Sequence, residues 1–144
     1  VYDPFNAYNI ALSKIKESGI VPTKQRRILA KILFNKGNRH ISAENLFDEV
    51  KKEDRKISMA TIYNTLKQFT NLGLIREVVV DKNKSLYDTN NKPHYHLYIE
   101  DEGKVHDIPT DNINLDLPSI PACLNLHNID IIVRVRSIKD NKKS

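Results

Sequence analysis

The sequence predicts an α+β fold in two parts: an N-terminal winged helix-turn-helix domain over residues 1–89 and a small strand-rich domain over 90–144. Three observations carry this. Four segments with helical apolar spacing fill the first part, each bounded by a start or stop signal. Two short strand-like runs joined by a polar turn follow the fourth segment. From Asn90 onward the pattern changes from a repeat of about 3.6 residues to simple alternation.

The helices come first. From Phe5 to Ser18, Tyr8, Leu12 and Ile15 fall at helical spacing, and Gly19 suits a C-terminal stop. Thr23 can cap a second helix with Ile28, Leu29, Ile32 and Leu33 inward, ended by Gly37. Ser42 can cap a third, with Leu46, Phe47 and Val50 inward. Ser58 can cap the fourth, SMATIYNTLKQFTNLG, with Gly73 just past its end. Its buried stripe is Ile62, Leu66 and Phe69. Thr61, Asn64, Thr65, Lys67 and Gln68 lie mainly away from that stripe, with Tyr63 near its edge.

The third and fourth helices, joined by the tight link Asp54 to Ile57, form a helix-turn-helix. IREVVV and SLYDT then read as a hairpin with DKNK at its turn, the place of a wing. Hydroxyls, amides and a cation on the exposed face of the fourth helix can hydrogen-bond base edges and phosphates; a merely solvated polar face is the plainer reading. On the first reading Lys24, Arg26 and Arg27, opening the second helix, contact phosphates. Thr61, Tyr63 and Asn64 contact bases, with Ser58 and Lys67 beside them, and Lys82 and Lys84 bring the wing to the backbone.

Charge agrees with a polyanionic partner. Lys and Arg outnumber Asp and Glu by seven up to Tyr87 and fall short by two from Asp88 onward, giving the net +5. No apolar run approaches the roughly 20 residues of a membrane helix, and no signal-peptide pattern opens the sequence. The single cysteine, Cys123, excludes an internal disulfide framework and a Cys-rich zinc site within one chain. A cytoplasmic location is expected, with no membrane partner.

In the second part HYHLYIED and GKVHDIP read as strands around a turn near Glu102 and Gly103. A proline-containing segment follows (Pro109, Pro118, Pro121), then a last strand, NIDIIVRVRS, with Ile129, Ile131, Val133 and Val135 on one face, and a charged tail, SIKDNKKS, expected to fray. A piece this short is small for an independent core, a problem that pairing with a second copy would solve. His94 and His96 share one strand face, with Leu97 and Ile99 on the other. They are either two polar rings on a solvated face or part of a metal or haem site.

GIVPTKQRRIL, RHISAENLF, ISMATIYNTLKQFTNLGLI, YD before the histidines, and HYH followed by GKVHDI, in this order, resemble the Fur family of metal-dependent bacterial regulators from about Ser18 to Val135. Within that family the chain is most similar to the Irr iron-response regulators, through ISAENL, YNTLKQFT, YDTN, the cysteine-free EDEGKVHDIP and the shortened C-terminal part. The resemblance implies a homodimer with an N-terminal winged helix and a C-terminal α/β dimerisation and metal- or haem-sensing domain. It implies a regulatory metal site with His40, Asp88, His94, His96 and Asp107 as ligands. Three imidazoles and two carboxylates suit a divalent ion such as iron, manganese or zinc.

The resemblance further implies a haem-responsive regulator, mostly a repressor, of haem synthesis and iron homeostasis genes. It would bind double-stranded DNA at a palindromic AT-rich operator, with haem or a haem-synthesis enzyme as a further partner. Cys123 stands between Ala122 and Leu124, so no Cys-Pro haem motif is present, and haem would rest on His94 or His96. Where other members carry CxxC pairs this chain reads IEDEGK, so no structural Cys-rich zinc site is expected. Pro93 and Tyr95 replace ligands of a second metal site, and His106 and His127 are secondary candidate ligands beside their reading as surface histidines. Three rivals stand next to this: a Fur-type regulator sensing a divalent metal or peroxide directly; more remotely, a non-haem iron enzyme built on two His and an Asp; and a plain winged-helix interaction module with the histidines as structural polar residues. The second finds no substrate-pocket motif, and an enzyme is not expected.

Overall fold

Side-chain caps start three of the four helices. The computed structural model describes residues 4–90 and 92–138, with α1 at Pro4–Glu17, α2 at Lys24–Phe34, α3 at Ala43–Lys52 and α4 at Met59–Asn71. The hydroxyls of Thr23, Ser42 and Ser58 accept from the backbone N–H groups of Arg26, Asn45 and Thr61 at 3.2, 3.1 and 3.1 Å. Each satisfies a donor that the first helical turn leaves without a partner. Gly73, at φ 72°, takes the left-handed conformation just past α4, where a side chain would be strained. Between α3 and α4 the turn closes through Asp54, at φ 54°, and a 3.1 Å bond from the Arg55 N–H to the Val50 carbonyl.

The chain divides into a unit of residues 1–91 and a unit of 92–144. The core of the first unit joins all four helices: Ile15, Leu29, Leu33, Leu46, Ile62 and Leu66 are fully enclosed and Phe69 is 1 % exposed. One expectation for α4 is corrected. Thr65 does not lie away from the apolar stripe but is buried with it. It sits three residues after Ile62 and four before Phe69, which at helical pitch is the middle of that stripe. Three strands complete the unit, β1 (His40–Ile41), β2 (Arg76–Asp81) and β3 (Lys84–Asp88), in the order β1-β3-β2, all antiparallel. Lys82 and Asn83 make the hairpin turn. Two-residue β1 is too short for a periodicity signal, yet it pairs His40 with Asp88 and Ile41 with Tyr87.

The second unit holds β4 (Tyr95–Ile99), β5 (Lys104–Ile108) and β6 (Ile132–Val135) in the order β5-β4-β6. β4 and β5 are antiparallel, with His96 opposite Asp107; β6 runs parallel to β4. Two expectations are corrected. Among the described residues this unit has no α-helix, only the short 3-10 turn Thr110–Asn112, so its sheet is not an α/β layer. Pro118 and Pro121 and the alternating apolar residues around them disfavour a helix there. The last strand starts at Ile132, three residues after Ile129. Tyr98 is this unit's one buried hydrophobic side chain among the described residues, while Leu115, Leu117, Leu124 and Leu126 are exposed. Most of the charged tail, beyond Ile138, lies outside the described residues. No described helix is long and apolar enough to cross a membrane.

Candidate metal centre and nucleic-acid interface

The five expected metal ligands fall into two groups, one in each unit. In the first unit, β1 and β3 hold His40 and Asp88 at paired positions, which brings His40 Nε2 to 3.1 Å from Asp88 Oδ2. The Asp88 side chain is fully enclosed, and its other oxygen accepts from the Asn90 backbone N–H at 2.9 Å. A buried carboxylate is tolerated only when hydrogen-bonded or facing a positive partner.

In the second unit, His94 and His96 flank the start of β4 on the face that carries Tyr98. Both rings are buried, 7 % and 4 % exposed, so the solvated-face reading does not hold. The rings meet edge to face with centroids 4.6 Å apart. Asp107 lies across the ladder from His96, and its Oδ1 is 3.3 Å from His94 Nε2 and 4.0 Å from His96 Nε2. His94 Nδ1 lies 2.5 Å from the Lys92 carbonyl. That contact puts the ring proton on Nδ1 and turns the Nε2 lone pair toward Asp107, the tautomer a metal ligand needs.

This donor set fits a divalent cation. An imidazole lone pair and a carboxylate oxygen facing one another repel unless a cation or proton lies between them, and each group contains such a pair. Within each group the ligand atoms lie within 4.8 Å of one another. Opposite ligands of a transition-metal ion at bonds of about 2.1 Å stand about 4.2 Å apart, close to that limit. His106 and His127 are exposed and join no cluster of three or more His, Cys, Asp or Glu among the described residues. His106 stands opposite Leu97, away from the ligand face.

On the first unit, Arg26, Thr61, Asn64 and Lys67 line one polar cleft between the start of α2 and the exposed side of α4, together with Thr23 and Gln25. Arg26 is largely committed inside it: Nε donates to Gln68 Oε1 at 2.9 Å and Nη1 to the Val21 carbonyl at 2.6 Å. Arg27 Nε donates to the Pro22 carbonyl at 3.0 Å, and Lys24 is exposed at the first position of α2. Ser58 Oγ is used by its cap and by a 2.9 Å bond to Thr61 Oγ1, so it is a helix cap more than a surface group. Lys82 and Lys84 are exposed at the hairpin.

Tyr63, half exposed, donates its hydroxyl to Glu44 Oε1 on α3 at 2.7 Å. That bond holds the Glu44 carboxyl below its ordinary range and raises the Tyr63 phenol. Nearby, burial and then the charge of Glu77 push the Tyr87 phenol up to about 12, so it stays neutral at physiological pH. The sequence places Gln68 on the polar side of α4 but does not mark its bond to Arg26, and it gives Glu44 no role. Glu44 carries the ordinary signal of an acid in a helix first turn, and nothing local marks its bond to a residue 19 positions away.

The ferric uptake regulator family model matches residues 17–135. The chain belongs to that family. Ferric uptake regulator family members are DNA-binding transcription regulators that act as dimers, not enzymes, which removes the iron-enzyme alternative. The chain is 29 % identical over 104 residues to the peroxide-responsive repressor PerR of Staphylococcus aureus, covering 72 % of this chain and 70 % of that protein. Its fold is similar to the manganese-bound ferric uptake regulator of Pseudomonas aeruginosa, with TM-score 0.70 and 21 % identity over 90 % of this chain and 99 % of that one. It is also similar to a zinc-bound manganese uptake regulator, with TM-score 0.62 and 26 % identity over 89 % of this chain and 98 % of that one.

Proposed function

We propose that this ferric uptake regulator family member is a homodimeric transcription regulator whose DNA affinity is set by one divalent ion held by His40, Asp88, His94, His96 and Asp107. The observation that carries the reading is the Nε2-to-carboxylate facing of His94 and Asp107 beside His96. Asp88 and His94 are six residues apart in the chain, so only a short tether separates the two ligand groups in sequence. An ion taking ligands from both units fixes the angle between them and, in a dimer, the spacing of two α4 helices along the duplex. A preference of a few kcal/mol for one angle is enough to switch DNA affinity.

Contacts to DNA follow from the same reading. Lys24, Arg27, Lys82 and Lys84 meet phosphates; Thr61, Asn64, Lys67 and the Tyr63 ring face the bases. Replacing Lys82 and Lys84 with alanine is expected to weaken binding to all duplexes about equally and to lower the salt slope by about two. An unchanged slope in a salt titration excludes the wing.

Iron-linked sensing through haem at His94 or His96, as in the Irr regulators, and direct metal or peroxide sensing as in PerR are separated by titration. The expected result is a saturable gain in affinity for an AT-rich palindromic duplex with Mn(II) or Fe(II), and no specific Soret shift with haemin, because Asp107 beside the rings favours a cation over a porphyrin. A Soret shift lost in a His94→Ala/His96→Ala variant, with altered DNA binding, makes the protein a haem-responsive regulator. DNA binding indifferent to both reagents overturns the sensing site altogether.

A further inference from the structure

We infer that Arg39 is a positioning residue: through Glu49 it braces the ligand-bearing edge of the first unit against the helix-turn-helix, so that a pull on His40 moves α3 and α4. The inference rests on the reading that His40 and Asp88 bind the ion.

Arg39 directly precedes His40. Its Nη1 donates to both carboxylate oxygens of Glu49 on α3, at 3.0 and 2.9 Å, and its Nη2 donates to the Ile32 carbonyl on α2 at 2.9 Å. Its backbone N–H donates to Thr89 Oγ1 and its carbonyl accepts from the Thr89 N–H, both at 3.0 Å. Thr89 follows Asp88. One residue therefore joins two helices to both ligand positions of this unit. The ion pair is sheltered, with side chains 16 % and 22 % exposed, which reduces the solvent screening that weakens surface pairs. Lys36 also reaches Glu49, at 3.3 Å, but from a side chain 59 % exposed.

The brace matters because β1 is so slight. Two residues paired over two positions resist little, and a force on His40 would bend β1 before it moved a helix. The guanidinium fork removes that slack by engaging α2 and α3 at once. Lysine offers a single ammonium nitrogen and cannot reach the Glu49 carboxylate and the Ile32 carbonyl from two separate nitrogens as the guanidinium does. Glu49 stands on α3, which packs against α4, so the brace ends on the helix pair proposed to read DNA.

The test uses the full chain and a palindromic AT-rich duplex selected in vitro with the unaltered protein. DNA dissociation constants are measured without metal and with saturating Mn(II), for the unaltered protein, Arg39→Lys and Glu49→Gln, beside thermal unfolding of each metal-free protein. The ratio of the two constants is expected to fall by at least about 5-fold in both variants, with metal-free DNA affinity close to that of the unaltered protein. Ratios equal to that of the unaltered protein, with only the unfolding midpoint lowered, overturn the inference and leave Arg39 a stability residue. If Arg39→Lys fails to fold, Glu49→Gln decides, since it keeps the side-chain shape and removes the charge. An unaltered protein whose own ratio is one brings down the metal reading and this inference with it; an intact ratio there with unaffected variants brings down the inference alone.

Discussion

Replacing His94 and His96 together with alanine is expected to abolish the metal response of DNA binding while the first unit stays folded. The two rings are buried on one face of β4 and both turn Nε2 toward Asp107 Oδ1. Removing partners that merely orient metal ligands costs about 10- to 100-fold in affinity, so removing two ligands should cost more than about 100-fold. Competition with a fluorescent chelator for Mn(II) reads this loss, and a DNA titration at fixed Mn(II) reads its consequence. The hydrophobic core of the first unit contains neither residue, so its helical circular dichroism should survive. The rival is that buried histidines serve packing alone. That rival predicts a collapse of the metal-free fold with no change in Mn(II) affinity of whatever remains folded, and such a result would end the ligand assignment.

What the sequence makes legible follows from where the physics is local. The stripe Ile62, Leu66, Phe69 and the caps Thr23, Ser42 and Ser58 depend on spacing within one helix, and all are found in those roles. Thr65 departs from its expected place because its angular position, three residues after Ile62 and four before Phe69, prevails over its polar side chain. Long-range partners leave no local mark: Arg39 and Glu49, Tyr63 and Glu44, and Arg26 and Gln68 lie 10, 19 and 42 positions apart in the chain. Strand β1 exists because β3 offers it a ladder, and two residues carry no period of their own. The histidine pair illustrates both halves of the point. Alternation places the two rings on one face, but burial of that face comes from the fold around it, so spacing alone leaves the solvated reading and the ligand reading both open. Residue motifs reached the family; the relatives found include a peroxide-responsive repressor and ferric and manganese uptake regulators, so the haem-linked subgroup stays within the proposal.

Helix α4 has to hold the core with one face and meet DNA with the other, and two substitutions on it should separate these tasks. Phe69 is 1 % exposed and among the largest fully buried side chains. Its replacement by alanine removes an aromatic ring from a core that joins all four helices and leaves a cavity, at an expected cost of about 3–5 kcal/mol. A single unit of this size has only about 5–15 kcal/mol of stability in all, so Phe69→Ala should lower the urea midpoint sharply. Asn64 lies two residues before Leu66 on the exposed side. Asn64→Ala should change stability by no more than about 0.5 kcal/mol. If Asn64 reads a base edge, that variant should lose about 1–3 kcal/mol of discrimination at one position of the duplex. Urea titration and a set of single-base duplex variants read the two effects separately. Equal loss of affinity on every duplex for Asn64→Ala would reassign it to the phosphate backbone. A Phe69→Ala protein with an unshifted midpoint would mean that the first unit can close the cavity, and that its core is held by the remaining buried side chains without the ring at the end of the α4 stripe.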